Sequence, residues 1–152
     1  MYALILALHS ILRWVVLLTG LYAVGHSVSR RKSERWRRSD GHPGLYFIVA
    51  LDVQFLLGLL LYLVYSPTLT AAAMNLGAAM RDPTLRFFLV EHAVGMTLAI
   101  VIAHVGRARM KGNRDAPRRH RQAMIFFGLA LLLVVLSIPW PGMPAGRPLL
   151  PW

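Results

Sequence analysis

The sequence predicts an all-α membrane protein, a four-transmembrane-helix up-down bundle with both termini outside and a short outer-surface helix between helices 2 and 3. Four long apolar runs divide the 152-residue chain, and its basic residues concentrate in two of the connections between them. Mean hydropathy is +0.54 although the net charge is +11. Such values coexist when apolar and basic residues occupy different stretches of the chain. We expect one transmembrane domain over residues 1–138 and a Pro-rich periplasmic tail over residues 139–152.

The apolar runs cover residues 3–27, 45–65, 85–106 and 123–138. A helix needs roughly 20 apolar residues to cross a bilayer, and the fourth run alone falls short of that length. The first run has neither a preceding basic segment nor a small-residue cleavage site, so we expect a retained helix and not a signal peptide. Asp82 and Pro83 predict the start of the third helix, because proline suits a first helical position. Five prolines in the last fourteen residues predict an extended tail.

The basic residues indicate the orientation in the membrane. The first and third connections together hold 13 of the 17 Lys and Arg residues. These are Arg30, Arg31, Lys32, Arg35, Arg37 and Arg38 in the first connection, and Arg107, Arg109, Lys111, Arg114, Arg118, Arg119 and Arg121 in the third. Cytoplasmic loops carry this excess, so we expect both of these connections to be cytoplasmic and both termini to lie outside. The same rule explains the high net positive charge of the chain, so no nucleic-acid partner is expected. Membrane lipid is the expected partner of the apolar spans.

Composition narrows the chemistry that the chain can perform. The absence of cysteine excludes disulfides, iron–sulfur clusters and thiolate metal sites. Ligand chemistry is left to six His, seven Met and a few carboxylates. No arrangement of Ser, His and acid typical of a hydrolase stands out. An electron carrier or an accessory subunit is therefore favoured over a bond-making enzyme.

Several polar side chains lie inside the predicted helices, where ionisable groups are costly and usually functional. They are His9, Arg13, Asp52, Gln54, Glu91 and His92. At a rise of about 1.5 Å per residue, His9 lies about 9 Å from the outer face and His92 about 11 Å. Two imidazoles at one depth can hold a haem iron from both sides, and Arg13 could serve a haem propionate or pair with Glu91. The alternative is that both histidines simply hydrogen-bond to Glu91, Ser10 or the backbone.

A second pair of histidines, His26 and His104, is also level, near the cytoplasmic face. At about 100° per residue, His26 lies about 100° around its helix from His9, and His104 about 120° from His92. A second haem between them is therefore disfavoured, since stacked haems need both ligands of each helix on one face. His42 falls in the first basic loop and His120 in the third, and both are expected to be solvated.

Four segments carry a resemblance to a known family. They are LHSILRW (8–14), QFLLGL (54–59), LRFFLVEH (85–92) and SIPWP (137–141). Together they resemble a family of small bacterial four-helix membrane proteins that carries the label cytochrome B, which implies haem b. The sites His9, Arg13, Gln54, Glu91 and His92 match the family pattern. Asp52 departs from it, since many relatives have histidine there, and this favours an ion pair between Asp52 and Arg13.

Three functions compete at this point. The first is electron transfer through one bis-His haem near the outer face, with a quinone or a redox protein as partner. The second is a non-redox accessory or structural subunit of a larger respiratory or photosynthetic membrane complex. The third is a transporter or proton-linked channel along Arg13, Asp52 and Glu91, which four short helices without a repeat make the least favoured.

Overall fold

The computed structural model describes residues 1–111 and 115–150, with the side chains of residues 67, 68, 71 and 73 excepted. Within these residues the chain is helical and contains no strand. Arg114, counted above among the loop cations, and the last two residues of the tail lie outside the described residues. The helices are α1 (Tyr2–Ser29), α2 (His42–Leu60), α3 (Pro67–Met74), α4 (Leu76–Arg81), α5 (Pro83–Arg86), α6 (His92–Arg109) and α7 (Ala116–Ser137).

Four segments are long and apolar enough to cross a membrane, as predicted. We number them span 1 (Tyr2–Ser29), span 2 (Arg38–Tyr65), span 3 (Pro83–Arg109) and span 4 (Ala116–Ser137). Span 2 ends in a π-helical turn, Leu61–Tyr65, and span 3 contains another, Phe87–Glu91. The two turns are joined by a hydrogen bond of 2.9 Å from the Tyr62 hydroxyl to the Leu89 carbonyl. Wide turns of this kind are rare and often occur at functional sites.

The ends of the helices follow local sequence chemistry. Pro83 occupies the first turn of α5, and the Asp82 side chain accepts a hydrogen bond of 2.8 Å from the Leu85 amide. The predicted start of the third helix is therefore confirmed. Two short helices, α3 and α4, fill the connection for which one was predicted. Span 4 begins at Ala116, well before the predicted residue 123, because a polar first turn containing Pro117 continues into the apolar run.

The core lies between the four spans, each of which contributes buried residues to it. Phe47 and Phe127 are almost fully buried there, with ring centres 6.0 Å apart in an edge-to-face contact. Gly44 lies so close to Phe127 that a side chain at Gly44 would overlap the ring. Small residues let helices in a membrane approach closely, and this pattern accounts for the tight packing. Spans 2 and 3 pack much more loosely on each other than the other neighbouring spans do.

The tail folds back on the bundle, and the prediction of an extended strip is wrong. Its backbone turns twice, through a hydrogen bond of 3.2 Å from Met143 to Trp140 and one of 2.8 Å from Gly146 to Met143. Gly142 supports the first turn with a φ of 91°, a conformation that glycine adopts without strain. The prolines prevent a helix, but the intervening glycines permit turns that bring the tail back over the bundle.

Candidate functional site

The structure brings together the two histidines that the sequence placed at one depth. His9 projects from α1 and His92 from the first residue of α6, and their ring centres are 6.3 Å apart at an interplanar angle of 69°. Two imidazoles that share one metal ion, with bonds of about 2 Å, have ring centres about 6 Å apart. The separation therefore fits two axial ligands of a single haem iron.

One ring nitrogen of His92 is hydrogen-bonded within the protein, and the other remains available to bind a metal. The Nδ1–H group of His92 donates to the Ser137 carbonyl at 2.7 Å, because that carbonyl can only accept. This carbonyl is available because α7 ends at Ser137 and Pro141, four residues later, has no N–H group to offer. The bond fixes the tautomer and leaves the Nε2 lone pair for a metal.

The ring of His9 is oriented by contacts from α2. Gln54 donates from Nε2 to the backbone carbonyl of His9 at 3.1 Å, and a Cβ atom added at Gly58 would lie 3.1 Å from His9 Cε1. The His9 Nδ1 atom is buried and has no hydrogen-bond partner among the described residues. The alternative in which both histidines bond to Glu91, Ser10 or the backbone therefore holds for His92, which bonds to the Ser137 carbonyl, and does not hold for the His9 ring among the described residues.

Two cavities, of about 120 and 440 Å³, adjoin the histidine pair. Both are lined by His9, Gln54, Gly58, Tyr62, His92 and Met96. The smaller cavity extends toward α1, α7 and the tail and is also lined by Arg13 and Arg147. Two guanidinium groups match the two carboxylates of a haem. Sequence reasoning missed Arg147, because an arginine in a Pro-rich tail carries no motif that links it to a span.

Arg13 is 8% exposed and bonds to the tail. Its Nη2 group donates to the Leu149 carbonyl at 2.6 Å, and the indole N–H of the adjacent Trp14 donates to the same oxygen at 3.1 Å. The prediction that Arg13 forms an ion pair with Glu91 or Asp52 is wrong, because neither contact occurs among the described residues. A neutral carbonyl from the returning tail takes the position that the prediction gave to a carboxylate.

Both predicted acidic partners lie elsewhere. Glu91 pairs with Arg86 at 2.9 Å, both side chains are about half-exposed, and Glu91 lines neither cavity. Asp52 pairs with His104, also at 2.9 Å. Of the predicted site residues, His9, Arg13, Gln54 and His92 therefore lie around one space, and Glu91 lies outside it.

The second histidine pair is separated in the structure. His26 Nε2 lies 3.1 Å from Asp40 Oδ1, whereas His104 bonds Asp52. His120 also approaches Asp40, at 3.8 Å, and is 1% exposed, so the expectation that it is solvated is wrong. Its burial follows from the early start of α7 and from Trp36, whose ring centre is 4.7 Å away. No group of three or more His, Asp or Glu residues in the described ranges could hold a metal ion.

The site thus consists of two imidazoles at a separation suited to one metal, two cavities and two arginines. Gln54 and the hydroxyl groups of Tyr2, Ser10, Tyr62, Ser66 and Thr97 also line the cavities, and the rest of the lining is apolar. The chain matches no protein-family model, no curated protein and no solved structure. The geometry of the site therefore supports the chemistry proposed for it.

Proposed function

We propose that the protein is a small b-type cytochrome-like membrane protein that transfers electrons through one bis-His haem near the outer membrane face. The observation that carries this proposal is the 6.3 Å separation of the His9 and His92 rings beside two cavities. A histidine pair with only a packing role has no need of the empty space that adjoins both rings. The partner in electron transfer is a quinone or a redox protein.

Each residue has a defined task in this proposal. His9 and His92 hold the iron of haem b, and the bound haem supplies one-electron redox chemistry. The Ser137 carbonyl keeps His92 in the tautomer that can bind metal and increases the basicity of its ring. Arg13 and Arg147 neutralise carboxylates in the smaller cavity. Because both imidazoles would be engaged by the iron, the site would favour electron transfer over oxygen chemistry.

The proposal includes a location and an orientation. The protein resides in a bacterial inner membrane with both termini outside, so that the haem lies nearer the outer face. The support for this orientation is the excess of Lys and Arg in the connections between spans 1 and 2 and between spans 3 and 4. Electrons would therefore enter or leave on the outer side.

A reduced-minus-oxidised absorption spectrum of the purified protein, made with ample haem, tests the proposal. The wild type should show a b-type spectrum, and His9→Ala and His92→Ala should each abolish it. His42→Ala changes an exposed histidine, and His26→Ala removes the contact between His26 and Asp40. Both variants should retain the b-type spectrum. A wild type without any b-type spectrum would refute electron transfer and favour the accessory-subunit function in its place.

A further inference from the structure

Span 3 is the least buried of the four spans. In its apolar stretch 17% of the residues are buried, against 28% to 33% in the other three spans. The packing of span 3 is one-sided, since α6 lies closely along α7 and only loosely along α2. The rest of the described chain therefore leaves a broad face of α6 uncovered.

The residues on this face follow a heptad pattern. Val94, Thr97, Val101, His104 and Ala108 are all exposed and recur at alternating intervals of three and four residues. At about 100° per residue, these five positions fall within an arc of about 80° along one side of α6. We call this stripe the seam. Its spacing keeps one side of a helix facing a second helix over several turns.

The composition of the seam differs from that of a face that meets only lipid. The large exposed apolar side chains of span 4 are Ile125, Leu129, Leu132 and Leu136. The seam contains no leucine or isoleucine, and it combines valine, threonine and alanine with one histidine. Contacts between helices in membranes favour short side chains, which let two backbones approach, and polar side chains that bond across the contact. The seam therefore suits a second helix better than it suits lipid.

An acid and a base lie side by side on the same face. His104 Nε2 is 2.9 Å from Asp52 Oδ1, and the two side chains remain 52% and 43% exposed. His104 is five residues from the end of α6 at Arg109, yet its exposed neighbours Val101 and Val105 are apolar. Within the described residues, neither the second ring nitrogen of His104 nor the second carboxylate oxygen of Asp52 has a hydrogen-bond partner. The pair is therefore complementary in charge to a second copy of itself.

We propose that the seam is the interface of a homodimer, whose two copies are related by a two-fold axis along the membrane normal. Such an axis keeps both copies in the same orientation in the bilayer and brings the two seams together. The His104 ring of each copy is then within reach of the Asp52 carboxylate of the other, so that two bases and two acids satisfy one another. An unrelated subunit would need a matching acid and base of its own, whereas a second copy supplies both.

The interface also affects the larger cavity. Val94 and Thr97 of the seam line the 440 Å³ cavity that reaches His9 and His92, so this cavity opens on the exposed face of α6. In the dimer, α6 of the second copy closes that opening toward lipid. The inference goes beyond the proposed electron transfer and does not rest on it, because the seam and the acid–base pair are present without a cofactor.

Cysteine cross-linking tests the interface directly, because the chain has no cysteine of its own. Single-cysteine variants are oxidised in native membranes with copper phenanthroline and analysed by gel electrophoresis and mass spectrometry. Thr97→Cys, Val101→Cys and Ala108→Cys should each form disulfide-linked dimers. The matched control Val15→Cys, at an exposed valine of span 1, should remain monomeric. Leu98→Cys, which lies about 100° around the helix from Thr97, should cross-link less than Thr97→Cys.

The acid–base pair is tested through the dissociation constant of the dimer. Energy transfer between fluorescently labelled chains is measured in liposomes as the protein is diluted with lipid. Loss of a hydrogen bond to a charged group corresponds to a change of about tenfold, so the dissociation constant of Asp52→Asn should rise about tenfold or more. Asp115→Asn, at an exposed acid that pairs with Arg118, should leave it unchanged. The exchanged double variant, Asp52→His with His104→Asp, should restore the dimer, which separates the loss of the pair from a folding defect.

Three results would overturn the inference. One is equal cross-linking of Val15→Cys and Val101→Cys, which indicates random collision in the membrane. Another is cross-linking of Val101→Cys only to a different protein, which would assign the face to an unrelated subunit. The third is an equal dissociation constant for the wild type and Asp52→Asn. Neither measurement requires haem, so a dimer without any haem spectrum refutes electron transfer alone, whereas a haem spectrum from a monomer refutes the interface alone.

Discussion

Gly58 provides a sharp test of the histidine site, because a single methyl group added there meets His9 and nothing else. The added Cβ atom would lie 3.1 Å from His9 Cε1 and 3.7 Å from His9 Nδ1. Ordinary van der Waals contact begins at 3.4 Å, so the ring must retreat by a few tenths of an ångström. Gly58→Ala therefore displaces one proposed axial ligand while leaving its chemistry intact.

The size of the effect follows from the cost of moving the ring. His9 is anchored through its backbone by Gln54, so the ring retreats mainly by rotating away from its preferred side-chain conformation. A retreat of a few tenths of an ångström turns the ring by roughly 6°, a fraction of the rotation of about 30° that costs about 1 kcal/mol, so the loss of haem affinity should be about fivefold at most. We expect the spectrum to persist in Gly58→Ala with weaker haem binding, in contrast to its complete loss in His9→Ala.

Haem titration of the haem-free protein in nanodiscs measures this affinity. The matched control is Gly128→Ala, since a Cβ atom added at Gly128 in α7 meets no atom within 4 Å. Its haem affinity should equal that of the wild type. If Gly58→Ala binds haem as tightly as Gly128→Ala does, the His9 ring is not held against Gly58 in the haem-bound protein, and the geometric argument fails.

Three further predictions concern other parts of the chain. Asp40→Ala removes a buried carboxylate that pairs with His26 and Arg30, so the free energy of unfolding, measured by reversible unfolding in detergent, should fall by about 3 kcal/mol. Asp115→Ala, at an exposed site, should have little effect. Arg13→Gln weakens the anchor of the tail, so hydrogen exchange at the Arg147 amide, which donates to the Pro139 carbonyl, should accelerate about tenfold. An alkaline phosphatase fused after Trp152 should be active, and activity of a cytoplasm-only reporter at that position would contradict the proposed orientation.

The spans could be predicted from the sequence because the bilayer imposes a simple rule. Apolar length identifies three of the four spans outright and the fourth as a shorter run, and the depths of His9 and His92 follow from counting residues along helices of known rise. Proline chemistry correctly predicted the start of span 3 at Pro83. These features depend on local sequence, so no knowledge of tertiary contacts was needed.

The partners of the charged residues could not be predicted in the same way. Residue counting gives the depth of a side chain in the membrane but not the direction in which it points. The sequence therefore favours an ion pair between Asp52 and Arg13, whereas the structure pairs Asp52 with His104. The bond from Arg13 to the Leu149 carbonyl joins residues 136 positions apart, and no pattern marks a backbone acceptor in a sequence. The burial of His120 depended on where α7 begins, and helix ends are the least predictable part of a helix.

The contact between Arg13 and the tail has a consequence for the timing of biogenesis. Ribosomes make span 1 well before residues 139–150, yet the side chain at position 13 takes its partner from position 149. Arg147, which lines the smaller cavity, is likewise synthesised after all four spans. The cavity therefore acquires its full lining only after span 4 has been made and the segment that follows it has folded back beside span 1. Any cofactor inserted earlier would occupy an unfinished compartment, so loading is expected to follow the folding of that segment.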